Sequence, residues 1–199
     1  MSKGKIKVGP VRCIFPVLAE PKGFNETDKP KYSIRVLIPK TDKTTVKAIY
    51  DNVTLTVNVM DWTQAVKQKV LKIAKDFQNA DNDNAIIKDG DKINQRRLDE
   101  GGEVIDAYNG HYLLTAKNSY APTIVGADTI PIAGIKIEGG DYVNLQLSNW
   151  CYSKPKPGTT WNLEAVQLVK KGEPFAIKTM FDEIEELDED EEVPFNEIS

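Results

Sequence analysis

The sequence predicts a mainly β fold with a helical insertion (an α+β protein), and three observations support this. Five short stretches alternate or are rich in strand-forming residues, so that one side of each stretch is apolar and the other polar. A block at about 41–80 changes to the spacing of amphipathic helices. The last stretch, 181–199, is strongly acidic and follows neither pattern.

The strand stretches follow one another along the chain, with turn-forming loops between them. Five strands are predicted, over 3–18, 32–39, 108–118, 141–152 and 160–169. The first is expected to bulge or break at Gly9-Pro10, because proline lacks the N–H that a sheet ladder needs. Its core-facing residues are expected to be Val11, Cys13 and Phe15. The second strand places Arg35 on its polar row.

The hairpin from 141 to 169 carries the most informative pattern. The core row of its first strand consists of Val143, Leu145, Leu147 and Cys151. The opposite row ends in Trp150 and Tyr152, next to the turn SKPKPG with Lys154 and Lys156. Aromatic rings beside positive charge suit an extended single-stranded nucleic acid, because rings stack on bases and cations neutralise phosphates.

The insertion at about 41–80 predicts two helices. The first follows a capping-prone Asp42, whereas 53–60 fits either the end of that helix or a short strand. The second is predicted to begin at Asp61, with Gln64 as its capping-box partner. Both helices are expected to pack an apolar stripe against the sheet.

The segment 79–104 is polar and rich in turn formers, so a long loop or a partly ordered excursion is expected there. Asp89 and Asp91 lack the further oxygen ligands of a calcium loop, and a turn is expected. His111 has no nucleophile and orienting group in its sequence context, and no phosphate-binding glycine motif occurs. We therefore predict no catalytic residue, metal or cofactor.

The weaker enzyme hypothesis is a metal-dependent nuclease, since two-metal chemistry needs clustered carboxylates. The candidate ligands for such a site are Asp89, Asp91, Glu103 and Asp106.

The charge balance divides the chain. The net charge of −4 combines 26 basic with 30 acidic residues, and ten of the acidic residues lie in 181–199, which has no Lys or Arg. The remainder, 1–180, therefore carries +6. We expect one nucleic-acid-binding domain over 1–180 and a disordered acidic tail over 181–199, because like charges with little apolar surface do not fold alone.

The composition argues against several classes of protein. Cys13 and Cys151, with one histidine, are too few for a zinc site or a disulfide framework, so buried reduced thiols are expected. No run of about 18 apolar residues suggests a transmembrane span, and the first ten residues lack the apolar centre of a signal peptide. A cytoplasmic protein without a membrane partner is the expectation.

Five strands around a small core, with an open aromatic and basic face, fit the five-stranded barrel of the OB-fold. A β-sandwich is the alternative, because strand pairing is not readable from one sequence.

Four stretches carry a family resemblance: KYSIRVLIPKTD (31–42), YNGHYLLTAKN (108–118), GGDYVNLQLSNWCYS (139–153) and GTTWNLEAVQLVKKGEP (158–174). Together with the acidic tail, they resemble the single-stranded DNA-binding proteins of tailed bacteriophages. The resemblance covers most of the chain and implies an OB-fold core with a helical insertion. It also implies a non-catalytic protein that coats single strands in the host cytoplasm during phage DNA replication, recombination and repair.

The same resemblance implies that the tail docks replication proteins, such as a polymerase or helicase, and competes with DNA for the basic groove. Hydrophobic residues spaced among carboxylates are typical of a docking segment. The predicted partner-binding residues of the tail are Phe181, Asp188, Glu189, Asp190, Glu191, Glu192 and Phe195. The sequence is compatible with a homodimer and does not specify the oligomeric state.

The predicted DNA-binding residues combine cations with aromatic rings. The cations expected to neutralise phosphates are Lys31, Arg35, Lys117, Lys154 and Lys156. The rings expected to stack on bases are Trp150, Tyr152 and Trp161. Binding should be nonspecific, since every base offers a face for stacking. The alternative is a non-catalytic interaction module or structural phage protein that uses the same face to contact a protein.

Overall fold

The computed structural model describes residues 4–23, 28–131 and 136–175. The strands in these ranges are β1 (Lys5–Lys22), β2 (Lys31–Pro39), β3 (Lys88–Asp89), β4 (His111–Asn118), β5 (Thr123–Val125), β6 (Tyr142–Tyr152) and β7 (Gly158–Lys170). The helices are α1 (Lys43–Asn58), α2 (Gln64–Lys75) and α3 (Gly90–Asp99), with a 3-10 turn at Asp106–Tyr108. The five strands predicted from the alternation are confirmed, with shifted ends.

The strands form one sheet in the order β3-β4-β2-β1-β6-β7-β5. Neighbouring long strands are antiparallel, and a parallel pairing of β4 with β7 closes the sheet, with Ala116 opposite Trp161 and Lys117 opposite Asn162. The result is a closed barrel of β1, β2, β4, β6 and β7, which is the architecture of the OB-fold. The β-sandwich alternative is wrong because a single sheet closes on itself.

Two irregularities bend β1 around the barrel. The register with β6 shifts between Val8 and Val11, where the sequence predicted a bulge. Gly9 has φ +133°, and a Cβ there would lie 2.5 Å from the Val143 carbonyl oxygen, so only glycine fits without strain. The register with β2 shifts again between Ile14 and Val17. Such bulges re-aim side chains, and the second one acts on the surface described below.

The helices extend the predicted insertion. α1 continues to Asn58, so the ambiguous 53–60 is mostly helical, and the Asp42 side chain accepts a hydrogen bond from the Thr45 N–H. α2 is capped by Thr63, two residues after the predicted Asp61. Of the helices in the described part of the chain, none combines the length and apolar content needed to cross a membrane.

α3 lies within the segment expected to be a loop, and that expectation is wrong. Its sequence, GDKINQRRLD, has too few apolar residues to show a helical stripe. Its start is stabilised locally, because the Asp89 side chain accepts hydrogen bonds from the N–H groups of Asp91 and Lys92.

The core fills the barrel and the space under α1 and α2. Cys13 and Cys151 are free and buried, as predicted. Burial raises the pKa of the Cys13 thiol to about 12 and that of Cys151 to about 11, so neither is a reactive thiolate near neutral pH.

Candidate nucleic-acid interface

A groove of about 820 Å³ runs along β1, β2 and β4 on the outside of the barrel, and we call it the basic groove. Its charged residues are Lys22, Asp28, Lys29, Lys31, Arg35 and Lys117. Five cations against one carboxylate leave a surplus of four positive charges. The structure thus brings together Lys31, Arg35 and Lys117, three residues predicted from the sequence, and adds Lys22 and Lys29 from the β1–β2 connection.

Arg35 is held in place at the floor of this groove. Its Nε donates a hydrogen bond to Thr115 Oγ1 at 3.0 Å, and Nη1 donates to the Tyr108 hydroxyl. The guanidinium carbon also lies 5.7 Å from the centre of the Tyr108 ring, and Tyr108 is buried. These contacts fix the direction of the positive charge, so little side-chain entropy is lost when an anion binds.

Phe15 lies at one edge of the basic groove with 59% of its side chain exposed. The sequence placed it in the core row with Val11 and Cys13, and that prediction is wrong. The register shift after Ile14 breaks the alternation, so Ile14 is buried and Phe15 faces outward. The Phe-Pro step was a weak signal of this break, since the residue before a proline is conformationally restricted.

A second groove, of about 650 Å³, begins at Phe15 and runs toward the end of the described chain; we call it the apolar groove. Its apolar walls are formed by Ile14, Pro16, Val104, Ile105, Ala107 and Phe175. Phe175 is held there by Arg12, whose guanidinium carbon lies 4.2 Å from the ring centre. Arg12 also donates hydrogen bonds to the Gly140 and Glu173 carbonyls at 3.2 and 2.7 Å.

Asp141 anchors the segment that carries Phe175. Its carboxylate accepts hydrogen bonds from the N–H groups of Glu138 and Gly172 at 2.9 and 3.1 Å, and from Lys171 Nζ at 3.0 Å. Burial favours the neutral acid, but the hydrogen bonds and the Lys171 charge outweigh it, and the pKa of Asp141 is lowered. The buried carboxylate is therefore ionised and fully bonded near neutral pH.

The β6–β7 turn lies toward the other side of the basic groove. Tyr152 donates a hydrogen bond to Asn84 Oδ1 at 2.7 Å. The neighbouring Asp83 has a lowered pKa, first because of a hydrogen bond from Lys88 and further because of the positive charge of Lys117. This links the turn to the Lys117 end of the groove. Lys154 and Lys156 are both exposed in the turn.

Trp150 does not line the basic groove. It is 49% exposed and borders a separate concavity of about 490 Å³ beside α1, together with Lys5, Leu55 and Val59. We call this the α1 surface. The expectation that Trp150 shares one face with Arg35 and the groove lysines is therefore wrong.

Trp161 is a core residue. Its side chain is 2% exposed, and its indole N–H donates a hydrogen bond to the Ile86 carbonyl at 2.9 Å. The prediction that it stacks on a base is wrong, because no face of the ring reaches the surface. The strand alternation placed β7 correctly, but barrel closure against Ala116 buries this position.

The carboxylates of the nuclease hypothesis serve the fold. Lys40 Nζ lies 2.6 Å from Asp89 and 2.7 Å from Asp91, and Asp89 caps α3. In residues 4–23, 28–131 and 136–175, no group of three His, Cys, Asp or Glu side chains is arranged to hold a metal ion. The predicted tail residues, from Phe181 to Phe195, lie outside the described residues.

Comparison with known proteins places the chain in a family. A family model described as the ssDNA-binding protein of Enterobacter phage Enc34 matches residues 4–194. The chain belongs to this family. It is a family of single-stranded DNA-binding proteins from bacteriophages, a non-enzymatic class, as the sequence resemblance implied.

Individual relatives agree with the Enc34 family assignment. A protein designated p50 of Acyrthosiphon pisum secondary endosymbiont phage 1 is 26% identical over 194 residues, covering 94% of this chain and 97% of that protein. The single-stranded DNA-binding protein of bacteriophage Enc34, solved in complex with ssDNA, is 25% identical, with a TM-score of 0.63 and coverage of 87% and 90% of the two chains.

The structure of gp2.5, a single-stranded DNA-binding protein encoded by bacteriophage T7, superposes with a TM-score of 0.54. It is 12% identical and covers 92% of this chain and 100% of that one. At this identity the comparison supports the barrel fold alone.

Proposed function

We propose that this protein binds single-stranded DNA without sequence preference and that the strand lies in the basic groove. The observation that carries the proposal is the groove itself, in which four lysines and a positioned arginine surround one exposed aromatic ring. Cations along a channel neutralise phosphates, whereas an aromatic face stacks on any base. Membership of the Enc34 family supports the same ligand.

The groove residues proposed to contact phosphates are Lys22, Lys29, Lys31, Arg35 and Lys117, and Lys154 and Lys156 extend the path to the β6–β7 turn. The Tyr152 hydroxyl is bonded to Asn84, so Tyr152 is proposed to hold this turn against the barrel. If the five groove cations each meet one phosphate, the logarithm of affinity should fall against the logarithm of salt with a slope of about −3 to −4.

The test is fluorescence anisotropy of a labelled oligo-dT of about 20 nucleotides, titrated with the full-length protein between about 50 and 300 mM salt. We expect tight binding at low salt that weakens steeply as salt rises, and similar affinity for oligo-dC and mixed sequences. A duplex of the same length serves as the control ligand. Absence of binding at low salt, both for the full chain and for a variant truncated after Met180, would overturn the proposal.

We further propose that the acidic tail competes with DNA for the basic groove. Phe175, the last described residue, already lies beside Phe15. Residue 181 follows six positions later, within about 20 Å of extended chain. Truncation after Met180 removes ten carboxylates, and we expect higher affinity at low salt and a difference that shrinks as salt screens the tail. Equal affinities at low salt would contradict the competition.

The biological role that follows is coating and protection of single strands during phage DNA replication, recombination and repair, in the cytoplasm of the host. Protection is measurable directly, because saturating protein should slow digestion of oligo-dT by a single-strand nuclease. Docking of replication proteins by the tail is part of the proposal. It predicts that a phage polymerase or helicase binds the full chain more tightly than the chain truncated after Met180.

A second candidate function, contact with a protein partner, is favoured by one observation. Leu55 and Val59 are 66% and 75% exposed next to Trp150, so the α1 surface is apolar in the free chain. This would be the main function if the full and truncated chains both failed to bind DNA at low salt.

A further inference from the structure

The backbone at Phe15 is strained in a way that is unusual for a large side chain. Its φ is +53°, in the left-handed region that bulky residues rarely adopt, and it precedes Pro16. The strain does not serve to bury the ring, because 59% of the side chain is exposed. Strained residues of this kind persist where the surroundings impose them, and they cluster at functional sites.

The position of Phe15 separates two chemically different surfaces. It lines both the basic groove and the apolar groove. The charged residues of the apolar groove are Arg97, Glu103, Asp106 and Glu138, so carboxylates outnumber cations there. Phosphates are therefore favoured on one side of the ring and disfavoured on the other.

Arg35 sets the distance at which these two chemistries meet. It pairs across the strands with Ile14, the residue before Phe15, and its guanidinium is fixed by Thr115 and Tyr108. A phosphate held by Arg35 thus brings the attached nucleoside next to the Phe15 ring. The apolar walls formed by Ile105 and Phe175 begin on the far side of that ring.

We propose that Phe15 stacks on an unpaired nucleobase at the end of the basic groove, and that the apolar groove receives the next base. The backbone of the strand then keeps its phosphates on the cationic side, where Lys31, Arg35 and Lys117 lie. This inference rests on the proposed function and assigns a base-binding site to a position where the sequence pattern predicted a core residue.

The test compares two ligands as well as two proteins. One ligand is oligo-dT and the other is an abasic strand of the same length, which retains the phosphates but has no bases. Phe15→Ala should weaken binding of oligo-dT about tenfold, since a stacked base contributes in this range, and should leave affinity for the abasic strand unchanged. Phe15→Tyr, which keeps an aromatic face, should restore most of the affinity for oligo-dT.

Trp150→Ala is the matched control, because it removes an exposed ring from the α1 surface. Circular dichroism and the unfolding midpoint of Phe15→Ala should match those of the wild type within the effect of one exposed side chain. Equal losses on oligo-dT and abasic DNA would overturn base stacking and assign Phe15 a structural role. An unchanged affinity of Phe15→Ala for oligo-dT would also overturn it. If the wild type itself bound neither ligand, the failure would lie with the proposed function.

Discussion

Phe15 and Trp150 are both large, exposed aromatic residues on the outside of one barrel, but their surroundings differ. Phe15 adjoins five cations, one of them fixed by two hydrogen bonds. Trp150 adjoins Leu55, Val59 and a single Lys5. An exposed ring alone therefore does not identify a nucleic-acid site. The neighbouring positive charge distinguishes the two rings, because phosphate neutralisation provides most of nonspecific affinity.

The two regions also differ in how they are built. The α1 surface forms where α1 meets β1 and β6. The Phe15 region needs a bulge in β1, the Tyr108 turn and the returning segment 171–175. Substitutions that act on one region and leave the other unchanged test this separation.

The largest expected effect is on the anchor of segment 171–175. Asp141→Asn leaves one oxygen for the donors that now bind two, and it removes the ion pair with Lys171. We expect a loss of about 2 kcal/mol in the free energy of unfolding at pH 7, measured by urea denaturation. Glu138→Gln removes a half-exposed carboxylate from the same cluster and is the control, with little change expected.

The pH dependence of that loss follows from the lowered pKa of Asp141. A carboxylate with a folded-state pKa below its ordinary 3.8 stabilises the fold above 3.8, and this stabilisation disappears as the pH falls through the folded-state value. The difference between wild type and Asp141→Asn should therefore be constant from about pH 5 to 8 and shrink below 3.8. A difference that grew on acidification would contradict the assignment.

The next largest effect is expected at Arg35. Arg35→Ala should weaken oligo-dT binding about tenfold at low salt, because a charge-assisted phosphate contact is lost. Arg35→Lys should recover only part of this, since a single ammonium does not reproduce the fork that bonds Thr115 and Tyr108. Full recovery by lysine would show that charge without geometry is sufficient.

A smaller effect separates the lysines of the two regions. Lys117→Ala should reduce affinity about threefold and make the salt slope shallower by about 0.7, the contribution of one phosphate contact to a single strand. Lys5→Ala removes the same charge from the α1 surface, and we expect the slope to stay unchanged. Identical slopes for the two variants would mean that long-range charge, rather than contact, controls binding.

The smallest effect is expected for Trp150→Ala. Less than a twofold change in oligo-dT affinity should result, because the basic groove does not include this ring. Tryptophan fluorescence of the wild type should likewise change little when DNA binds. Strong quenching that disappears in Trp150→Ala would place DNA on the α1 surface and remove the distinction between the two regions.

The sequence by itself determined the barrel strands and much of the basic groove. Alternation identifies a strand and its polar row without any knowledge of its neighbours, which is why Arg35 and Lys117 were assigned to the surface. Lys31 was recognised in the same way. The resemblance across four strand regions then indicated the family, and the match over residues 4–194 agrees with it.

Only the tertiary structure decided which aromatic residues are available. Period-two alternation assumes an unbroken strand, and the bulge after Ile14 inverts the pattern, so Phe15 points outward. Trp161 is buried by the closure of β7 against β4, a pairing between distant parts of the chain. Trp150 was correctly predicted to be exposed, but its neighbours come from α1. Local pattern determines whether a side chain leaves its strand inward or outward, whereas long-range pairing determines what it meets there.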